Sequence, residues 1–325
     1  MIWDWGDAHG AAIDLIGHGD ALALVQPARH AGLHMTNPLL RDDLTDFLLR
    51  DVHDLPGLLS LPAFEEHDQD TTTLFLAAAR RYAREALFPS YRPLDQQPPV
   101  FEGGRVHTHA DLKALYRGLV ELGCLGATRP ESAGGQGLPQ LVFRVASAYL
   151  MAGNLAAYGY AGLTAGAAHL IERFGSDELQ RRYREPMLEG RFTGTMALTE
   201  PQAGSSLADV KTQAVPAADG SYRIRGSKIF ISGGDHSMVD NVVHLLLARI
   251  EGAPEGTRGI SLFVVPRLRV EGEGALVDND VAVSGLIHKI GWKALPSLAL
   301  EFGDRGECHG YLLFFKQKTA YEILA

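Results

Sequence analysis

The stretch TMALTEPQAGSS, residues 195–206, runs from an apolar strand-like segment through a Thr-Glu-Pro corner into a train of small residues. The hydroxyls of Thr199, Ser205 and Ser206 and the main-chain N–H groups around them are neutral donors, suited to carbonyls, ring nitrogens or phosphates. Gly204 permits close approach of a backbone to a flat or charged group. A second set follows in KIFISGGDH, where Phe230, Ile231 and Ser232 place an aromatic, an aliphatic and a hydroxyl in series. Such a series would wall one face of a planar ring and bond its edge. A solvated turn followed by a core strand accounts for the same residues, and their types alone do not choose between the two.

Other chemistries find little support. No GxGxxG follows a strand and no GxxxxGK[ST] occurs, which disfavours a Rossmann site and a P-loop. Cys124 and Cys308 are the only cysteines, without CxxC or a Cys/His cluster at ligand spacing. Neither a disulfide framework nor a metal site is expected, and a reducing cytoplasm fits. The formal net charge of −9 argues against nucleic acid as a partner. The N-terminus carries acids inside its apolar stretches and lacks the basic start of a secretory signal. The apolar region from Leu141 to Leu170 holds Arg144, Asn154 and His169 and many small residues; it reads as buried helices, not a membrane span.

The elements that must position the loop fall into two blocks. From about residue 38 to 190 the pattern is helical. In DLKALYRGLVELG, Leu112, Leu115, Tyr116 and Leu119 share one face, with Asp111 at the start and Gly123 past the end. In SDELQRRYREPMLEG, Ser176 is the expected N-cap, and Pro186 should end or kink the helix. PESAGGQGLPQ reads as an interhelix turn. From about 194 the segments GTMALT, VKTQAVP, SYRIRGSKIFIS, VVHLLLAR and ISLFVVP read as strands, with AADG as a hairpin turn between the second and third. Helices first and strands second give an α+β chain. Residues 1–34 match neither pattern; they are expected to be an atypical or disordered extension, or a gene-start artefact preceding Met35.

These motifs, in this order, resemble the acyl-CoA dehydrogenase family. MALTEPQAGSSLADVKT is similar to its flavin signature, an apolar strand followed by T-E-P-x-A-G-S-D, and IFIS is similar to its second flavin segment, commonly W-I-T. GGQGLP and HLIERFGSDELQRRYREPMLEGRFTG resemble the helical domain; EGTRGISLFVVP and HKIGWKALPSLALEFGD resemble the middle β-domain. TEPQAGS, GGDHS and GISLFVVP look most like the branch that includes 3-methylthiopropionyl-CoA dehydrogenase.

The resemblance implies an N-terminal helical domain over 35–192 and a flavin-binding middle β-barrel or sandwich over 193–312. It implies FAD contacts from the main chain of Met196, Ala197 and Leu198, from Thr199, from Gly204 and Ser205, and from Phe230, Ile231 and Ser232. Ser205 would also meet the CoA part of the substrate. Two departures stand out: Ser206 replaces an aspartate, and Phe230 replaces a tryptophan and so loses an indole donor. The implied reaction is α,β-dehydrogenation of an acyl-CoA thioester in fatty acid metabolism, with electron-transfer flavoprotein as acceptor and a homodimer or tetramer as the full-length form. The family's catalytic glutamate belongs to a C-terminal helical bundle that this chain is expected to lack. LFFKQKTAYEILA, by contrast, looks like a translated sequencing adapter, so 313–325 is expected to be an artefactual tail. No catalytic residue is therefore named; Glu131, Glu200 and Glu322 are not assigned that role, and the chain is expected to be an inactive fragment that retains little or no flavin. Two alternatives stay open: a divergent non-catalytic or DNA-binding flavoprotein of this fold, and an acyl-CoA oxidase.

Overall fold

The computed structural model describes residues 39–313 apart from residue 273, all within one compact unit. The stretch 1–34, the start at Met35 and the chain from 314 onward lie outside the described residues.

The helical block comprises α1 (Asp42–Phe47), α2 (Leu55–Leu59), α3 (Gln69–Tyr82), α4 (Phe88–Gln96), α5 (Leu112–Glu121), α6 (Gln140–Phe174), α7 (Asp177–Leu179) and α8 (Glu185–Leu188). On α5 the four apolar residues at helical spacing are all buried, Leu112 and Leu119 completely. Each such leucine stabilises the fold by about 1.5–3 kcal/mol relative to exposure. They pack with Leu87, Tyr149, Leu150 and Tyr160 in one core cluster. The hydroxyl of Ser176 caps α7 by accepting from Leu179 N at 3.3 Å. Pro186 does not stop the helix there: a π turn over Gln180–Arg184 widens the backbone, and α8 continues with the proline in its first turn, where a missing N–H is tolerated.

The long helix α6 is apolar and long enough to cross a membrane by length and composition, yet half of its most apolar window is buried inside the protein. Its regular geometry breaks at Asn154 (φ −159°, ψ 97°). The Asn154 side chain supplies the missing partner, accepting from Ala157 N at 3.1 Å and donating to Ser90 Oγ at 2.9 Å. The second half of α6 is thus a newly capped helix.

The helical block is interrupted by a hairpin that periodicity does not predict, β1 (Val100–Glu102) with β2 (Arg105–His107). Its turn is Gly103–Gly104, both at positive φ (58° and 76°), a turn type that suits glycine pairs. The strands are three residues each, too short to show alternation.

The β block contains β3 (Phe192–Ala197), β4 (Gln213–Pro216), β5 (Tyr222–Ser232), β6 (Asn241–Ile250), β7 (Ile260–Pro266), β8 (Leu268–Glu271), β9 (Ala275–Asp278), β10 (Val281–Ile287), β11 (Ser297–Phe302) and β12 (His309–Leu312). The main sheet runs β10-β11-β5-β12-β7-β6-β3. Strand β4 pairs antiparallel with β5 and parallel with β6, which closes β4-β5-β12-β7-β6 into a barrel. The β4–β5 turn lies at Ala217–Ser221, where the sequence places AADG. The barrel core gathers Ala214, Ile224, Ile231, Leu246, Phe263, Leu298 and Phe302. A second cluster joins α6, α7 and α8 to the sheet through Ala167, Ile171, Met187, Phe192, Leu245 and Val264. The contact is close: a Cβ on Gly194 of β3 would lie 2.4 Å from the Ala167 methyl, so only glycine fits. Leu313 extends the β12 edge, buried, with its N–H donating to Leu262 O at 3.0 Å.

Two histidines are sealed in this interior. Burial pushes the His236 ring down to about 3, with Arg105 adding to the effect. Burial likewise brings His244 to about 3, assisted by Arg267 and His236. The unfolded chain takes up these protons near pH 6.5, the folded chain only near pH 3, so stability falls as pH drops through that window. The slope approaches about 1.4 kcal/mol per pH unit for each histidine. The urea unfolding midpoint is expected to be lower at pH 5 than at pH 7; an unchanged midpoint would contradict two buried neutral rings.

Candidate cofactor-binding site

Strand β3 carries Met196 and Ala197 in register with Leu245 and Leu246 of β6, Ala197 fully buried and Met196 half-buried. Leu198 and Thr199 continue past the strand end, both half-buried. The corner then folds on itself: Glu200 N donates to Ala203 O at 2.8 Å and Ala203 N returns to Glu200 O at 3.1 Å. Gly204 and Ser205 emerge beyond that bridge, exposed. Apart from its two chain neighbours, no atom of the described residues lies within 4 Å of where a Gly204 Cβ would sit, so their packing does not demand a glycine there.

The corner is held by its glutamate. Glu200 is 3% exposed, and its carboxylate accepts from five donors: Lys211 N (2.8 Å), Thr212 N (3.0 Å), Thr212 Oγ1, Gln202 Nε2 and Lys228 Nζ (2.8 Å). Burial alone would raise its pKa, but the Lys228 ammonium, the Thr212 hydroxyl and the Lys211 N–H outweigh it and hold the carboxyl below its usual range. Glu200 is therefore an ionised anchor. Lys228, 1% exposed, also donates to Leu198 O (3.1 Å) and Leu247 O (2.7 Å). Removing one member of such a buried pair costs about 3–5 kcal/mol because the other charge is left uncompensated.

Two residues after Lys228 the strand departs from regular geometry. The β5–β11 register shifts between Leu298 and Leu300, so Ile229 and Phe230 together face Ala299. Phe230 takes the left-handed conformation (φ 61°), and the residue is 59% exposed. An aromatic residue in that region is strained by about 1–3 kcal/mol. Ile229 N donates to Thr199 O at 2.9 Å, so this bulge and the T-E-P corner form one unit.

The structure thus brings Thr199 beside the Phe230 segment. It does not treat the three residues of that segment alike. Ile231 is 1% exposed and packs in the barrel core, so its side chain is no part of a wall; it has only main chain to offer. Ser232, half-buried, pairs with Ser297. Among the described residues no hydrogen bond joins Gly204 or Ser205 to the Phe230 segment; the Glu200–Ala203 bridge turns them outward. The GGDH stretch that follows is buried structure. Asp235 accepts from Val106 N (3.0 Å) and Arg105 Nε (3.2 Å) and faces Arg267, while His236 Nε2 bonds Thr193 Oγ1 at 3.0 Å and meets the Tyr160 ring edge-on. Lys228 is the residue that reasoning from the sequence missed. The available signal was parity: Ile224 and Lys228 both face inward on β5, and an inward lysine in a strand demands a partner.

The acyl-CoA dehydrogenase N-terminal domain model matches residues 69–191, and the acyl-CoA dehydrogenase middle domain model matches 195–304. The chain belongs to the acyl-CoA dehydrogenase family. It is similar to 3-methylmercaptopropionyl-CoA dehydrogenase of Ruegeria pomeroyi, at 36% identity over 269 residues, 82% of this chain and 45% of that protein. It is also similar to a butyryl-CoA dehydrogenase of Syntrophomonas wolfei, at 33% identity over 274 residues, again 82% and 45%. The chain therefore spans under half the length of these two acyl-CoA dehydrogenases. The fold matches that of an acyl-CoA dehydrogenase from Bacillus anthracis complexed with FAD, with a TM-score of 0.60, 23% identity, and coverage of 80% of this chain and 40% of that one.

The strained bulge yields a test. Phe230→Gly relieves a left-handed conformation and removes the ring of a mostly exposed residue, so stability is expected to stay within about 1 kcal/mol of wild type. Ile231→Gly, one residue on, should lose more than about 3 kcal/mol. Equal losses in urea titrations of the two variants would show that Phe230 is a packing residue.

Proposed function

We propose that the chain carries the flavin-facing part of an FAD-dependent acyl-CoA dehydrogenase. The reaction would be α,β-dehydrogenation of an acyl-CoA thioester to the enoyl-CoA. The observation that carries this reading is the union of Thr199 with the strained, exposed Phe230 through Ile229 N and the buried Lys228. A fold that holds an aromatic ring out in a costly backbone conformation, beside neutral donors, is arranged for a flat polar ligand.

The residues fit the isoalloxazine of FAD. Phe230 would cover a ring face, and Thr199 would bond the ring edge through hydroxyl and N–H. Ser232 would add a second hydroxyl, and Ile231 its main chain. Met196, Ala197 and Leu198 would offer main chain, and Gly204 with Ser205 would approach the cofactor, Ser205 also the CoA. FAD, when bound, supplies the hydride acceptor. The chain's own part is to orient the ring and exclude water from one face. Glu200 does not remove the α proton, because five donors already occupy its oxygens. Glu131 is exposed in a short turn of the helical block. No base is assigned among the described residues, and turnover is not expected from this chain alone. Support for electron-transfer flavoprotein as acceptor and for a dimer or tetramer comes from the family resemblance.

FAD titration followed by flavin fluorescence quenching checks the assignment. The wild-type chain is expected to bind weakly, and Thr199→Val to lower affinity by about five- to tenfold, since it removes a hydrogen bond at nearly constant volume. Equal quenching by both proteins would remove Thr199 from the site; no quenching by either would defeat the flavin reading.

A further inference from the structure

The ammonium of Lys228 has three protons and three acceptors: Glu200 Oε1 at 2.8 Å, Leu247 O at 2.7 Å and Leu198 O at 3.1 Å. Its side chain is out of contact with water, so these directions are fixed by the surrounding barrel. One of the three acceptors belongs to the candidate site itself. The peptide bond between Leu198 and Thr199 is planar and trans, so its C=O and N–H point in opposite directions. The carbonyl points inward to Lys228. The Thr199 N–H therefore points away from that interior, and among the described residues it has no hydrogen-bond acceptor. A cation on a peptide oxygen draws electron density toward that oxygen and strengthens the N–H at the opposite end as a donor.

We propose that Lys228 is a positioning residue: its buried ammonium aims and polarises the Leu198–Thr199 peptide, so that the Thr199 N–H stands as the preset donor to a carbonyl or ring-nitrogen acceptor of the flavin. The assignment of the acceptor rests on the flavin reading above. The device has three anchored sides. Leu247 ties the ammonium to β6, Glu200 ties it to the corner, and Leu198 transmits the charge to the ligand side. Thr199 O is at the same time held by Ile229 N, so the peptides on both sides of Thr199 are fixed. Rotation of the Thr199 N–H away from its direction would break a bond to a buried charge.

The test uses the whole chain, labelled with 13C at leucine carbonyls and 15N at threonine. Only three Leu-Thr pairs then give correlated amide signals, Leu44–Thr45, Leu163–Thr164 and Leu198–Thr199, and Thr199→Ser identifies the last. In the variant Glu200→Gln with Lys228→Met, no orphan charge remains. Its Thr199 amide proton is expected to move upfield, and its FAD affinity to fall by about tenfold, the loss of one charge-assisted hydrogen bond. In Glu200→Gln alone the amide should stay near its wild-type position, since Lys228 still holds Leu198 O. A folded double variant with an unmoved Thr199 amide overturns the proposal. Should the double variant fail to fold, the wild-type chain decides. A locked ammonium gives a 15Nζ signal correlated with the Leu198 carbonyl 13C across the hydrogen bond, and absence of that correlation overturns the proposal. Failure of the wild-type chain to quench FAD defeats the flavin reading instead, and the amide result still decides whether Lys228 polarises the peptide.

Discussion

A lysine ammonium enclosed by protein must find counter-charge and acceptors within reach, and the architecture around Lys228 is the solution to that requirement. The cost of stripping water from the charge is met by one carboxylate and two carbonyls. Those three groups come from three stretches: the end of β3, the corner that follows it, and β6. Meeting the requirement forces these stretches together. The same geometry fixes Thr199 and presents Phe230, so the outward features of the site follow from an inward electrostatic demand. It also leaves the Glu200 carboxylate committed to structure. A carboxylate that neutralises a buried cation and accepts from five donors has no free lone pair in the right place and no tendency to take a proton.

Much of the helical block was legible because its signals are local. The apolar stripe of α5, the Ser176 cap and the turn at AADG each depend on residues within a few positions of one another. The β1–β2 hairpin escaped because three-residue strands carry no period; its one local cue was the glycine pair. The continuation past Pro186 escaped because a π turn is a backbone adjustment with no side-chain signature. At the site, the residue types around Thr199 were readable, and the family resemblance organised them. Their arrangement was not readable. The split of Phe230 and Ile231 into an outward and an inward residue depends on a bulge whose register is set by β11, some seventy positions away in the chain. The burial of GGDH was not readable for a similar reason: its partners Arg105, Val106 and Thr193 lie in distant segments.

The junction between the two blocks shows how small residues serve large contacts. Gly194 lets β3 press against α6, and Asn154 lets α6 change direction without leaving a polar group unsatisfied. Both positions look unremarkable in the sequence, a glycine in a strand and an asparagine in an apolar helix. Each has value only through what packs against it.

Asp235 has one more implication, for how the molecule comes apart. Its carboxylate sits in the β block but holds the β1–β2 hairpin of the helical block, while Val106 of that hairpin is counted in the barrel core. The barrel therefore has a piece of its lining delivered by the helical part of the chain. Melting of the helical block would pull Val106 out of the core and strand a buried aspartate beside Arg267. The two blocks are in this way made energetically inseparable: partial opening of one exposes apolar surface and charge in the other, and the described residues behave as a single cooperative unit, not as a barrel with helices attached.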